Sequence, residues 1–524
     1  MEGNILHVLP AELIIRILTF LEFHDLLSCR QVCRLLRTAF EQTAVLQYTI
    51  ELAVAGVEDG PPSSMEPASR LATLRNSQAA WNSLRWTGVK DVPMLRGSLY
   101  ELYGGVLVQS THLGGLVFRR LPSQFRGIEE YTWSLDLPDL DLRDFSLDPA
   151  QDLLVLISRP LLRSHATDAR LETTIHLRSL TTGKGHPLAN QPPIFLHDVD
   201  VRAANLTFMV QVHGNHIGVH FVSHGSAPSE LVVWNWKTGK VLLNTYGSNL
   251  MAFSFLTERL LLVGGFAEVQ YLSQPRLFIL DLDSTNSGRL EFDDVDYHCA
   301  FLYPPCNLWV HPLSFLIRAD PSTSWSPDPS YQVPYSIGPG PRLYIITIWV
   351  MRGEVISAID LFVLSSTLLS HIDSLDDNRT GYDFEWEEWG PNGTRMMAQA
   401  PHSHVWVCYV FGTKFSSIIT NPRDTRNRNS RTLEIWDFNQ LGIQRDMSKV
   451  EKDAPEVQWH VDDTSILSSS VFAGEVRTNL PYRVIRRTLP APLEGEPVFT
   501  EAMCSEDSLI LVDSQSRQFR ILTF

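Results

Sequence analysis

The chain has 524 residues, room for roughly two to four domains or one large repeat unit. Its 44% hydrophobic and 19% charged content is that of an ordinary globular protein. A net charge of −16 argues against general nucleic-acid binding and against anionic membrane surfaces, both of which call for a basic face.

The first element is the apolar stretch from Ile5 to Phe40. Pro10 suits a helix start, where its missing N–H is not needed, and Glu12 follows at the positive end of the helix dipole. From Leu13 the apolar positions 13, 14, 17, 18, 20 and 21 fall within an arc of about 160°. That is wider than so small a unit normally buries. A second helical run is expected after Asp25 as N-cap, carrying Leu26, Leu27, Cys29, Val32, Cys33, Leu36 and Phe40, with a break near Arg30 or Gln31. A chain below about 40 residues cannot usually hide this much apolar surface alone.

Leu9-Pro10-x-Glu12-Leu13, Ile17-Leu18, Leu21, Asp25-Leu26-Leu27 and Val32-Cys33-Arg34 together closely resemble the F-box, with Leu36 where that family often has Trp. The resemblance implies a three-helix module over residues 1–48 that docks on a Skp-family adaptor and so joins a cullin–RING ubiquitin ligase. It names Leu9, Pro10, Leu13, Ile17, Leu18, Leu21, Leu26, Val32 and Leu36 as adaptor-facing candidates. Some of these must instead hold the helices together, and the pattern does not sort them.

Residues 49–98 read as a helical linker. The first run continues through Val45, Tyr48, Ile50 and Leu52 and stops at Gly56. A Pro- and Ser-rich loop follows, and then a helix from Pro67 with one apolar stripe through Leu71, Leu74, Trp81 and Leu84.

From Leu99 to Phe524 short β-type runs take over, each closed by a turn, with no crossover helix of length; this pattern indicates an antiparallel sandwich, barrel or propeller. Several runs end alike: His176-Leu-Arg-Ser-Leu-Thr-Thr-Gly183, Val233-Trp-Asn-Trp-Lys-Thr-Gly239, Phe278-Ile-Leu-Asp-Leu-Asp283 and Glu434-Ile-Trp-Asp-Phe438. They resemble β-propeller blades of the WD-repeat type. The fold expected is therefore α plus all-β: F-box, linker helices, then a propeller of about seven irregular blades. Intervals run longer than the roughly 40–45 residues of a regular blade. The first strands after 99 and the last, Leu509–Val512 and Phe519–Phe524, are expected to share one blade and so close the ring. Asp320–Pro341 reads as a long Pro-rich loop, and Thr420–Arg431 as a solvated loop. The arginines of the latter, Arg423, Arg426, Arg428 and Arg431, are candidate target-binding residues, because guanidinium pairs bidentately with phosphate or carboxylate.

No nucleophile elbow, phosphate loop or zinc-protease motif occurs in the sequence. His216, His220 and His224 share one face of a strand but stand about 13 Å apart, too far to share a metal, and read as solvent-facing. Asp136, Asp139, Asp141, Asp144 and Asp148 read as loop and turn carboxylates. The six cysteines form neither a disulfide framework nor a CxxC pair. No apolar run reaches the roughly 18 residues of a membrane span. The sequence thus points to a cytosolic or nuclear, non-catalytic substrate receptor with no cofactor or metal, whose partners are the adaptor and an unidentified target protein. The alternatives are a scaffold using its F-box outside a ligase, and a propeller hydrolase.

Overall fold

The computed structural model describes residues 9–162, 170–200, 206–224, 227–269, 272–285, 288–323, 325–327, 331–376, 380–398, 408–420, 431–447 and 457–524. Five helices come first: α1 (Ala11–Leu18), α2 (Phe23–Val32), α3 (Arg34–Gln42), α4 (Ala44–Ala55) and α5 (Pro67–Asn82). Helix α2 starts earlier than expected, with Glu22 as N-cap and Asp25 inside its first turn. Its break from α3 is at Cys33, whose extended backbone (φ −154°) interrupts the helix, not at Arg30 or Gln31. Gly56 ends α4 in the left-handed conformation (φ 70°) that a side chain would resist.

Seven sheets follow, three of four strands and four of five, antiparallel except for a parallel outermost strand in two of them: a seven-bladed β-propeller. The innermost strands of blades 1 to 7 are Tyr100–Tyr103, Leu142–Asp148, Leu206–His213, Leu250–Phe255, Val310–Arg318, Val410–Phe411 and Glu501–Cys504. Apolar side chains from facing blades build a separate buried cluster at each of the seven interfaces. Between blades 3 and 4, for instance, Leu231, Val233 and Leu243 meet Phe253, Leu261 and Val263. Gly218 of blade 3 lets the Phe253 ring approach so closely that a Cβ would lie 2.6 Å from it.

Both faces of every blade are therefore buried. This overturns the reading of His220 as solvent-facing: its ring is fully buried, edge-on to Phe253, while Ile217, Val219 and Phe221 on the other face pack toward blade 2. Burial alone pushes the His220 pKa down to about 4, so the ring is neutral. Of the same group only His224 is exposed, and His213 is buried.

The ring closes differently from the expectation. The outermost strand of blade 7 is Gly88–Pro93, which pairs antiparallel with Gln518–Thr523. It lies upstream of residue 99, and the strands just after 99 form blade 1 by themselves. Each end of the chain thus supplies what the other lacks.

Helices α4 and α5 stand on blades 6 and 7. Trp81 stacks on Phe524 with ring centroids 4.0 Å apart, Arg483 donates to the Asn82 side chain at 3.0 Å, and Asn439 donates to the Val54 carbonyl at 2.8 Å. The long loop of blade 5, expected as irregular, meets them: its Tyr335–Ile337 pairs with Val57–Asp59 from between the two helices. Buried Arg70 of α5 ties this junction together. Its guanidinium donates to the Pro61 carbonyl (2.7 Å) and the Ser63 hydroxyl (2.9 Å) and pairs with Asp59. Tyr48 of α4 donates to the Pro334 carbonyl at 2.6 Å.

Two outcomes follow from these contacts. Arg70→Met leaves several carbonyls without donors and should cost about 2 kcal/mol in thermal or urea unfolding; an unchanged midpoint would show the junction to be unimportant. A chain trimmed to begin at 99 loses the fourth strand of blade 7, exposes the edge of Gln518–Thr523, and should melt markedly lower or aggregate.

Candidate functional site

Two surfaces at opposite ends of the molecule stand out. On α1, Ile14 and Leu18 point inward and join Leu26, Leu36, Phe40 and Leu46 in a small helical core to which, among the described residues, the propeller contributes nothing. Leu13 and Ile17 occupy a second row about a quarter turn away and are 47% and 53% exposed. Phe20, one turn further along that row, is 80% exposed. Val32 at the end of α2 is 68% exposed, and Leu35 at the start of α3 is also exposed.

This sorts the nine sequence-predicted residues. Pro10, Leu13, Ile17 and Val32 reach the surface, whereas Leu9 and Leu21 are half-buried along the edge of the core. Leu18, Leu26 and Leu36 are core residues and offer no surface to a partner. A motif records every anchor together, those that hold the helices and those that do not, and only packing separates them. Phe20 and Leu35 were missed because the motif assigns them no place, although position 20 lies on the same helical arc as 13 and 17.

At the other end lies the mouth of the central channel. In each blade the inner strand runs from that mouth toward the helices, so the linker sits where inner strands end and second strands begin. That lower end is sealed by the blade 5 loop. Asp320 accepts a hydrogen bond from the Gly412 amide of blade 6 through its carbonyl (2.7 Å), and Pro321 accepts one from Arg342 (3.1 Å). The Ser322 amide donates to the Tyr103 hydroxyl of blade 1 at 3.2 Å, and its hydroxyl hydrogen-bonds His213 Nδ1 of blade 3 at 2.8 Å. Above this floor is a cavity of 780 Å³, lined mainly by inner-strand residues of blades 1 to 5.

Of the four candidate arginines, Arg423, Arg426 and Arg428 lie outside the described residues. Arg431 opens the third strand of blade 6 at the end remote from the helices and is half-buried. Asp144 is not a loop carboxylate but sits on the inner strand of blade 2, facing the cavity. Asp148 ends that strand and accepts a hydrogen bond from the Ala150 amide, capping a short 3-10 turn.

Residues 6–47 match the family described as F-box-like. No curated protein matches the chain. Among solved structures, the WD40 domain of SCAP from fission yeast is similar at 9% identity, covering 83% of this chain and 98% of that one with a TM-score of 0.36. The extracellular domains 1–2 of Drosophila Semaphorin 1b are similar at 8% identity, covering 83% and 86%, with a TM-score of 0.35.

The two rows of α1 should respond differently to truncation. Leu26→Ala, at the centre of the core onto which the inner row packs, should cost the helical module about 2–5 kcal/mol. Ile17→Ala, on the outer row, should stay within about 0.5 kcal/mol. Hydrogen exchange of the α1–α3 amides reports this, and equal loss of protection in both variants would refute the division.

Proposed function

We propose that an F-box-like module joined to a seven-bladed propeller makes this chain a non-catalytic substrate receptor of a cullin–RING ubiquitin ligase. The observation that carries the reading is the outer row. A three-helix unit has satisfied its own core with Ile14, Leu18, Leu26, Leu36 and Phe40, yet still exposes Leu13, Ile17, Phe20, Val32 and Leu35. Large apolar side chains concentrated on so small a module are the mark of a protein interface. The F-box-like match supports a Skp-family adaptor as the partner, which would bridge to the cullin.

In this arrangement the chain performs no bond chemistry. It binds a target at one end and the ligase at the other, raising the local concentration of target lysines near the charged ubiquitin-conjugating enzyme. The anchoring of α4 and α5 on blades 6 and 7 fits that role, because a positioning device works only when its two ends hold a fixed relation. The target surface is then the channel mouth and its rim, since the opposite end carries the helices and the sealing loop.

Replacing Ile17 and Val32 together by Asp puts charge where apolar contact is needed and spares the core. Co-purification with a Skp-family adaptor should fall more than about tenfold, with the melting temperature unchanged. Full retention of the adaptor would remove the basis of the receptor reading. Binding to the adaptor but never to a cullin complex would make the chain a scaffold instead.

A further inference from the structure

The channel cavity has a chemical character of its own. Three carboxylates from three blades face it: Glu101 from blade 1, Asp144 from blade 2 and Asp320 at the end of the blade 5 inner strand. Their partners are few. Among the described residues, Glu101 accepts one long hydrogen bond from Ser146 (3.4 Å), Asp144 accepts one from the neighbouring Phe145 amide (2.9 Å), and the Asp320 carboxylate accepts none. Arg318 shares the cavity, but among the described residues it forms no ion pair with any of the three, and its Nε is buried without a partner.

Carboxylates with so few hydrogen-bond donors, set among apolar walls, cost stability. Burial raises the carboxyls of Asp144 and Asp320 to about 6, and burial together with the neighbouring Asp144 and Asp320 raises Glu101 well above the usual carboxylate range. Arg318 offsets the three only in part and without an ion pair among the described residues, which is the pattern of groups kept for a ligand.

The walls and rim are apolar and aromatic. Tyr100, Phe208 and Trp349 line the cavity, and at the same end of blade 5 stand Leu308, Trp309, Val355 and Ile356, each at least 60% exposed. A blind pocket with an acidic floor inside an apolar rim is suited to one kind of occupant. Three carboxylates against one guanidinium disfavour phosphate or a carboxylate side chain.

We propose that the channel is the target pocket and that it receives a lysine or arginine side chain from a segment whose neighbouring residues are apolar and pack on the blade 5 rim. This deepens the receptor reading and rests on it. The cation would supply the counter-charge that Glu101, Asp144 and Asp320 lack, and the rim would supply contact that excludes water around the charge-assisted hydrogen bonds.

The test uses the full chain bound to its adaptor and four pools of fluorescent nonapeptides. All pools share randomised apolar flanks and differ only in a fixed central residue: arginine, lysine, citrulline or glutamate. The arginine or lysine pool should bind at least about tenfold tighter than citrulline, which keeps the shape and lacks the charge. Combining Glu101→Gln with Asp320→Asn should shrink that preference to less than about threefold, and Trp309→Ala should weaken all pools alike. The double variant should melt no lower than the parent at pH 7.5, because the amides remove buried charge, so lost binding cannot be laid to misfolding. Equal binding of arginine and citrulline, preference for glutamate, or no binding by any pool each overturns the pocket. If the adaptor is still held, the receptor reading survives that failure; if the adaptor is not held, it is the receptor reading that falls.

Discussion

The junction at Arg70 is the contact on which the two-ended arrangement depends. One buried guanidinium gathers the loop after α4, the body of α5 and the long insertion of blade 5. A helical module on a flexible tether would sample many directions. Here its direction is fixed by backbone pairing of Val57–Asp59 with Tyr335–Ile337, by Trp81 on Phe524, and by the Glu51 carboxylate held between Arg75 and Arg445. The same insertion continues into the channel floor, so one loop both orients the helices and decides which end of the ring stays open.

That loop also explains why sequence reasoning reached some parts and stopped short of others. The helices were legible because their signals are local: Pro10, Pro67 and Gly56 mark ends, and apolar steps of three and four mark faces. The repeat endings at Gly183 and Gly239 disclosed a propeller for the same reason. What Asp320–Pro341 does was not legible. A Pro-rich run without periodicity looks alike whether it hangs in solvent or, as here, bonds to blades 1, 3, 6 and 7. Its partners lie far away in sequence, and no spacing rule reaches them.

His220 and Asp144 show a second limit. Alternation in a strand separates two faces, and the usual inference gives one face to solvent. In a ring of blades each sheet is covered on both sides by its neighbours. The polar member of an alternating pair can therefore be as deeply buried as the apolar one. Likewise, Glu101, Asp144 and Asp320 look like isolated acids in the sequence and converge only because three inner strands line one axis. Among the adaptor candidates, Leu18 and Ile17 are adjacent and equally apolar, and a turn of about 100° sends one inward and the other outward.

The strand Gly88–Pro93 has to wait for Gln518–Thr523, which the ribosome delivers several hundred residues later. Through most of synthesis it is a partnerless edge beside helices already free to form, and the ring behind it is an open fan. Sealing is thus the last event of folding, dependent on a distant pairing and slow on topological grounds. Until then the helices can fold while the propeller is still open, and the unpaired edge of Gly88–Pro93 stays available for mispairing.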